Sequence, residues 1–284
     1  MSTDDRMNLV DGIRAGHPFF QGLPPEGCWV AAHRGGAGLW PENTLSAFEK
    51  ALRLGVHMLE MDVRATADGV PVVIHDETVD RTTDGSGRVG DFTFRELRSL
   101  DAGHRWENGD QPGVAPWRSK GLVIPSLEEV FQSFPEARIV LEMKEARHGL
   151  VDSVSELIEE YGRSRLTLVA SFHTCLLRRF RKRRPDTATS AGRFEVLLFR
   201  LAGERGFRRI FTPGYEALQV PERSRGIRLV TGGFVRAARR EGLSVHVWTV
   251  NDPLDIRRFF GMGVEAVITD RPDIALEAAE SMRT

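Results

Sequence analysis

Residues 30–63 read VAAHRGGAGLWPENTLSAFEKALRLGVHMLEMDV. Val30-Ala31-Ala32 is a short apolar run that ends on His33 and predicts a buried strand. From Asn43 to Leu54, Leu45, Phe48 and Leu52 fall at helical spacing. Asn43 or Thr44 can cap that helix and Gly55 can stop it. Met58 to Val63 is the next strand.

The same rhythm continues along the chain. Ile139–Leu141 and Leu166–Ala170 read as strands, with a helix from about Leu150 to Tyr161 between them. Val245–Val250 and Ala266–Ile268 follow the strand pattern, and Phe234–Arg240 and Pro253–Phe260 the helical one. Strand-helix alternation of this length predicts a parallel sheet covered by helices. A count of about eight units fits a closed α/β fold, the TIM (β/α)₈ barrel, better than an open sheet. Strand signals are poorest between Asp186 and Leu229. Thr78 to Pro125 breaks the rhythm, being long, polar and rich in Gly and Pro. So long a structureless loop is unusual in a compact domain, so about 78–125 reads as a small inserted subdomain on the barrel rim. The expected organisation is an N-terminal extension at 1–28 and one barrel domain at 29–280.

The 284 residues suffice for one such barrel, and 41% are apolar. No stretch reaches the roughly 18 consecutive apolar residues of a membrane span. A net charge of -1 calls for no polyanionic partner. The run 178–184, RRFRKRR, reads as the charged end of a helix begun near Cys175. Peripheral contact with an anionic membrane is its alternative reading. Nucleic acid fits it less well, since Phe180 is its one aromatic residue. Two distant cysteines and an N-terminus without a continuous apolar core indicate a reducing, cytoplasmic setting.

Four clusters carry chemistry. Glu60-x-Asp62 sets two carboxylates on one face of an otherwise apolar strand. They are either solvated charges at a strand end or a pair held together by a cation. Oxygen-only ligands suit Mg²⁺, Ca²⁺ or Mn²⁺. Glu142-x-Lys144 repeats the geometry at the C-terminal end of a later strand, the active face of a barrel. It is either a salt bridge or a third metal carboxylate beside an ammonium suited to phosphate. His33-Arg34 enters the turn Gly35-Gly36-Ala37-Gly38, where arginine offers a donor fork for phosphate and glycines allow close approach. His75-Asp76 closes the run Val70–Ile74, which follows the turn signal Asp68-Gly69 and doubles back to the rim. Two histidines allow one acid and one base; each alone is equally a locally satisfied polar group.

In order, these pieces are His33-Arg34, Pro41-Glu42-Asn43-Thr44, Glu60-x-Asp62, Asp68-Gly69, His75-Asp76 and Arg81-Thr82-Thr83. With Ile124–Glu129, Leu141–Lys144, Ser171-Phe172, Val247–Asn251 and Ile268–Pro272, the sequence resembles the glycerophosphodiester phosphodiesterase family from about His33 to Pro272. The resemblance implies a TIM barrel with an insertion after the second strand. It implies hydrolysis of glycerophosphodiesters to sn-glycerol 3-phosphate and an alcohol. It makes Glu60, Asp62 and Glu142 ligands of one divalent cation, Mg²⁺ or Ca²⁺, and His33 and His75 the acid-base pair. Arg34 and Lys144 become phosphate contacts, and Phe172 and Trp248 groove residues. Glu42 and Asn43 either support the rim or cap the first helix.

The turn His-Arg-Gly-Gly-Ala-Gly is closer to the lysophospholipase D-like members. Trp106 and Trp117 could then meet an acyl chain, although the core of the insertion is their expected place. Two alternatives therefore accompany the first reading: a lysophospholipase D releasing lysophosphatidic acid, and a non-catalytic barrel that binds phospholipid headgroups.

Overall fold

The computed structural model describes residues 17–24, 27–107, 113–145, 149–203, 214–224 and 226–282. Residues 1–16, 25 and 26 of the N-terminal extension lie outside this set, as do 108–112 of the insertion. The chain runs through β1 (Trp29–Ala32), α1 (Leu45–Leu54), β2 (Met58–Ala65), β3 (Pro71–Val73), α2 (Phe94–Leu97) and α3 (Leu127–Ser133). It continues with β4 (Ile139–Met143), α4 (Leu150–Glu160), β5 (Thr167–Ala170), α5 (Thr174–Arg183), β6 (Ala188–Thr189), α6 (Arg193–Gly203) and β7 (Ala217–Pro221). A small hairpin, β8 (Arg223–Ser224) and β9 (Ile227–Arg228), precedes α7 (Gly232–Arg240), β10 (Ser244–Trp248), α8 (Pro253–Met262), β11 (Ala266–Thr269) and α9 (Pro272–Glu280).

The parallel strands pair in the order β6-β5-β4-β2-β1-β11-β10-β7. A parallel bridge between Ser190 and Ala217 joins β6 back to β7, so among the described residues eight strands ring a nearly closed barrel. Alternation along each strand sorts the side chains. Val30, Ala32, Leu59, Met61, Ile139, Leu141 and Val169 join the large core shared with the surrounding helices. Trp29, Ala31, Met58, Val140, Leu168, Ala188, Ala217, Ala266 and Ile268 form a second cluster, the barrel interior. Phe19 and Phe20 belong to that second cluster, so the segment before β1 helps fill the interior. Arg138 holds the segment in place, donating through Nε to the Phe19 carbonyl at 2.9 Å.

The helices start and stop where their side chains dictate. Thr44, not Asn43, caps α1, accepting from the Ala47 N–H, and Gly55 ends it in the left-handed conformation. Ser126 opens α3 with a capping box closed by Glu129.

β3 pairs antiparallel with β2, as the doubling-back predicts. Val72 of β3 joins Ile74, Val79, Val89, Leu97, Ala102 and Ile124 in a separate small core. Trp106 and Trp117 are not in that core, contrary to expectation. Aliphatic side chains fill it, and the indole of Trp106 finds its acceptor outside, at the Ala37 carbonyl 3.2 Å away. Trp117 is half-buried under Lys50, whose Nζ is 5.4 Å from the ring centroid.

The basic run ends α5 and is largely matched by carboxylates. Arg179 and Arg183 pair with Asp152, Arg181 with Glu195, and Arg184 with Glu159 and Asp186. No helix among the described residues is long and apolar enough to cross a membrane.

Candidate active site

The inward positions that extend the interior cluster toward the C-terminal ends of the strands are polar. On β2 they are Glu60 and Asp62, and on β4 Glu142, which is the register partner of Asp62. Adjacent strands and period-two alternation thus put three carboxylates side by side. One oxygen from each lies within 4.8 Å of the others.

Burial makes this costly. Glu60 is 5% exposed and Asp62 1%. Burial and the neighbouring Asp62 carboxylate push Glu60 up to about 7. Burial also raises Glu142, although Lys144 opposes it. Asp62 moves down, because Lys144 and Arg34 outweigh its burial. The Lys144 ammonium sits 2.8 Å from Asp62 Oδ1 and 2.7 Å from Glu142 Oε2. Arg34 Nε is 3.2 Å from Asp62 Oδ2, and the Arg34 backbone N–H donates to Glu60 Oε2 at 3.0 Å. Even so, Glu142 Oε1 is buried with no hydrogen-bond partner. Two carboxylates driven toward protonation, one with a buried oxygen that has no partner, are what a site short of positive charge looks like. An all-oxygen donor set fits a hard divalent cation.

Arg34 reaches the carboxylates because the chain turns sharply after β1. Its φ is +52°, followed by Gly35 at +84° and Gly36 at +93°. A Cβ on Gly35 would meet Ala47 Cβ and Phe48 Cδ1 at 2.9 Å, so the turn packs directly on α1.

The two histidines line the same cavity as the carboxylates, His33 Nε2 4.0 Å from Glu60 Oε2, and each is oriented through Nδ1. His33 Nδ1 is 2.6 Å from Asp270 Oδ1, and His75 Nδ1 is 2.6 Å from Asp76 Oδ1. Each ring therefore has its Nε2 free of these two aspartates. Burial disfavours charge on His33, but Glu60 and Asp270 outweigh it and the pKa rises. For His75 burial dominates and the pKa falls. Asp270 is itself fixed by Asn251, whose Nδ2 donates to Oδ2 at 2.9 Å.

A chain of ion pairs links Arg34 to His75. Arg34 Nη1 donates to Glu42 Oε1 at 2.9 Å. Arg81 grips Glu42 with two bonds of 2.7 Å and donates from Nε to Asp76 Oδ2 at 2.6 Å. Burial opposes ionisation of Asp76, but Arg81 and His75 hold its carboxyl down at about 2. Glu42 therefore belongs to the rim, and Asn43 does too, donating to Asp62 Oδ2 at 3.1 Å. Removing the Arg81 guanidinium frees Asp76 to act on His75 alone. Arg81→Ala is thus expected to raise the His75 pKa and to lower kcat roughly 10- to 100-fold through misplacement. NMR titration of the imidazole and a pH-rate profile check both. An unmoved His75 titration with unchanged turnover would show that the pairing is only a surface ornament.

His33, Arg34, Glu60, His75, Glu142, Lys144, Phe172 and Trp248 all line one cavity of about 130 Å³, with Asp62 immediately behind. Phe172 and Trp248 meet edge to face, centroids 5.6 Å apart. Sequence reading places all nine of these residues together. It gives no role to Asp270, Asp76 or Arg81, and it does not single out Gln219, which also lines the cavity.

Residues 33–274 match the model of the Glycerophosphoryl diester phosphodiesterase family. The chain belongs to this family. A glycerophosphodiester phosphodiesterase of Caldanaerobacter subterraneus subsp. tengcongensis is 32% identical over 252 residues, covering 86% of this chain and 94% of that relative. Among solved members of the fold, a phosphodiesterase of Oleispira antarctica in complex with the product sn-glycerol-3-phosphate superposes with a TM-score of 0.73. It is 25% identical and covers 89% of this chain and 96% of that one. Lysophospholipase D of Mus musculus is similar at a lower level, 27% over 266 residues, covering 85% of this chain and 82% of its own. Family membership accounts for the barrel.

Proposed function

We propose that this chain hydrolyses glycerophosphodiesters to sn-glycerol 3-phosphate and an alcohol with the help of one divalent cation, Mg²⁺ or Ca²⁺. The observation that carries the reading is the convergence of Glu60, Asp62 and Glu142 at one cavity that two carboxylate-oriented histidines also line. Glu60, Asp62 and Glu142 would hold the cation. When bound, it supplies positive charge for the non-bridging phosphoryl oxygens. Arg34 and Lys144 contribute donors to the same phosphate. Through Nε2, one histidine takes the proton of the attacking hydroxyl or water, and the other gives a proton to the leaving alkoxide. Asp270 and Asp76 keep both Nδ1 atoms occupied and so keep Nε2 directed to the reaction. The rise at His33 comes partly from Glu60, whose charge a cation would offset, so geometry rather than acidity underlies the pairing of roles. Phe172 and Trp248 flank the organic part of the substrate.

Residues 29–280 form the catalytic domain in this reading, with 78–125 as its inserted subdomain. Cys28, which is buried, and Cys175, which is exposed, are not joined in a disulfide, consistent with a reducing, cytoplasmic setting. Lysophospholipase D activity is the second reading, supported by the similarity to the mouse enzyme. Membrane contact through 178–184 has little support, because most of that run already faces carboxylates.

One panel separates the readings: glycerophosphocholine, glycerophosphoethanolamine and lysophosphatidylcholine, each with Mg²⁺ or Ca²⁺. Release of sn-glycerol 3-phosphate from the first two is expected. Lysophosphatidic acid without glycerol 3-phosphate would replace this reading with the second, and no product from any of them would leave only a headgroup-binding barrel.

Cation affinity should depend on pH in a defined direction. Below about 7, Glu60 holds a proton in the metal-free protein, and that proton must leave before the cation binds. Apparent affinity is expected to fall by up to about tenfold per pH unit below this value and to level off above it. Calorimetric titration with Mg²⁺ at several pH values reads this directly; an affinity flat across the range would remove Glu60 from the ligand set.

A further inference from the structure

β7 lies four strands from β2 in either direction around the ring, so its inward residues face the carboxylates across the barrel. The inward residue at the cavity is Gln219, partly exposed and paired in register with His246 on β10. His246 is fully buried, packed edge-on against Trp29 and Phe20 at ring-centroid distances of 6.3 and 6.4 Å. Burial pushes its pKa down to about 3, so it is a neutral imidazole at any working pH. Its Nδ1 lies 3.1 Å from Gln219 Nε2, and its Nε2 lies 3.0 Å from Ser244 Oγ. Ser244 is itself fully buried.

An uncharged row of Ser244, His246 and Gln219, its first two members fully buried, is costly unless each member is bonded. Here the row ends in the cavity. One end of the Gln219 amide is fixed by His246, and no donor among the described residues engages its Oε1. Ser190 and Thr249, which follow the neighbouring strands β6 and β10, also line the cavity and are neutral and polar too. An amide there can give or accept one hydrogen bond and carries no charge. Its chemical complement is a hydroxyl, not phosphate and not a cationic headgroup.

We propose that Gln219 is a specificity-determining residue that hydrogen-bonds the terminal hydroxyl of the substrate's glycerol, with His246 as its positioning residue. The inference rests on the hydrolase reading above. The terminal hydroxyl is the glycerol oxygen farthest from phosphorus, and Gln219 is on the strand farthest from the Glu60–Asp62 pair. A hydroxyl can both donate and accept, so it matches either orientation of the amide.

The test is a cycle of two substrates and two proteins. The substrates are glycerophosphocholine and the diester in which the terminal glycerol CH₂OH is replaced by CH₃, leaving the adjacent hydroxyl in place. Wild-type protein should favour glycerophosphocholine by about tenfold in kcat/KM, the worth of one hydrogen bond. Gln219→Met, which keeps the shape and loses the polar atoms, should bring that ratio to about 1. His246→Leu should lower the ratio as well, by a smaller factor, since the amide remains but is no longer held. A wild-type ratio near 1 overturns the proposal without any variant. A ratio preserved in Gln219→Met overturns it too, even if both rates fall together, because equal losses mean a structural role. Wild-type protein inactive on both substrates with Mg²⁺ and with Ca²⁺ is a different failure: it removes the hydrolase reading and this inference with it.

Discussion

His33→Ala and His75→Ala each lower kcat on glycerophosphocholine by roughly 10²- to 10⁴-fold, the usual contribution of a positioned proton-transfer group. The loss should fall on turnover more than on KM, because the phosphate contacts of Arg34 and Lys144 stay in place. Neither change should unfold the protein. The two side chains are 17% and 33% exposed at the cavity, and their carboxylate partners keep other bonds. Asp270 retains Asn251, and Asp76 retains Arg81. Because both histidines serve one proton path, the double variant should be little worse than the poorer single one. Steady-state kinetics on the three variants decide the matter. Near-wild-type turnover in either single variant would contradict the two-histidine scheme.

Glu60→Gln is expected to separate stability from activity. In the metal-free protein the Glu60 carboxyl is raised to about 7, so between its unfolded value near 4.5 and about 7 the folded state holds the extra proton. Stability from this group is therefore fully present at low pH and is lost as pH rises through that window. Above pH 7 the ionised carboxylate destabilises the fold by an amount of the order of 3 kcal/mol, since each tenfold difference in proton affinity between folded and unfolded chain is worth about 1.36 kcal/mol. Glutamine has the same shape and no charge to bury. Metal-free Glu60→Gln should then melt above wild type at pH 8 and alongside it at pH 4.5. Cation-dependent turnover should fall by about three powers of ten, corresponding to several kcal/mol of lost charge stabilisation. Asp62→Asn is a poorer probe. It takes one carboxylate from Arg34 and Lys144, which keep Glu42 and Glu142, and so disturbs the two phosphate contacts together with the cation site. A Glu60→Gln protein with wild-type turnover, or with no change in its pH-dependent melting, would contradict the assignment.

Most of this site is legible without the fold, because strand alternation is a local property. Glu60 and Asp62 are two residues apart, as are Glu142 and Lys144, so their shared direction follows from period two alone. Their convergence follows from the barrel, where Asp62 and Glu142 become register partners. The orienting groups are harder to see. Asp270 is 237 residues from His33, and nothing local marks it as the histidine's partner. Arg81 looks like an ordinary turn residue until the fold brings Glu42 and Asp76 together around it. β6 and β7 have weak strand signals for a physical reason. β6 has two residues, and the inward positions of β7 are Ala217 and Gln219, one small and one polar, so no apolar run announces them. Trp106 departs from the expected burial because size favours a core position, whereas its indole N–H favours an acceptor, which it finds at the Ala37 carbonyl.

If three carboxylates hold a cation for phosphodiester hydrolysis, the reaction stops when the cation is removed. A ³¹P NMR time course of purified protein with glycerophosphocholine, run in Mg²⁺ or Ca²⁺ and again in excess EDTA, reads this. The diester resonance should convert to that of sn-glycerol 3-phosphate with cation and not with EDTA. Conversion that continues undiminished in EDTA would contradict the cation site.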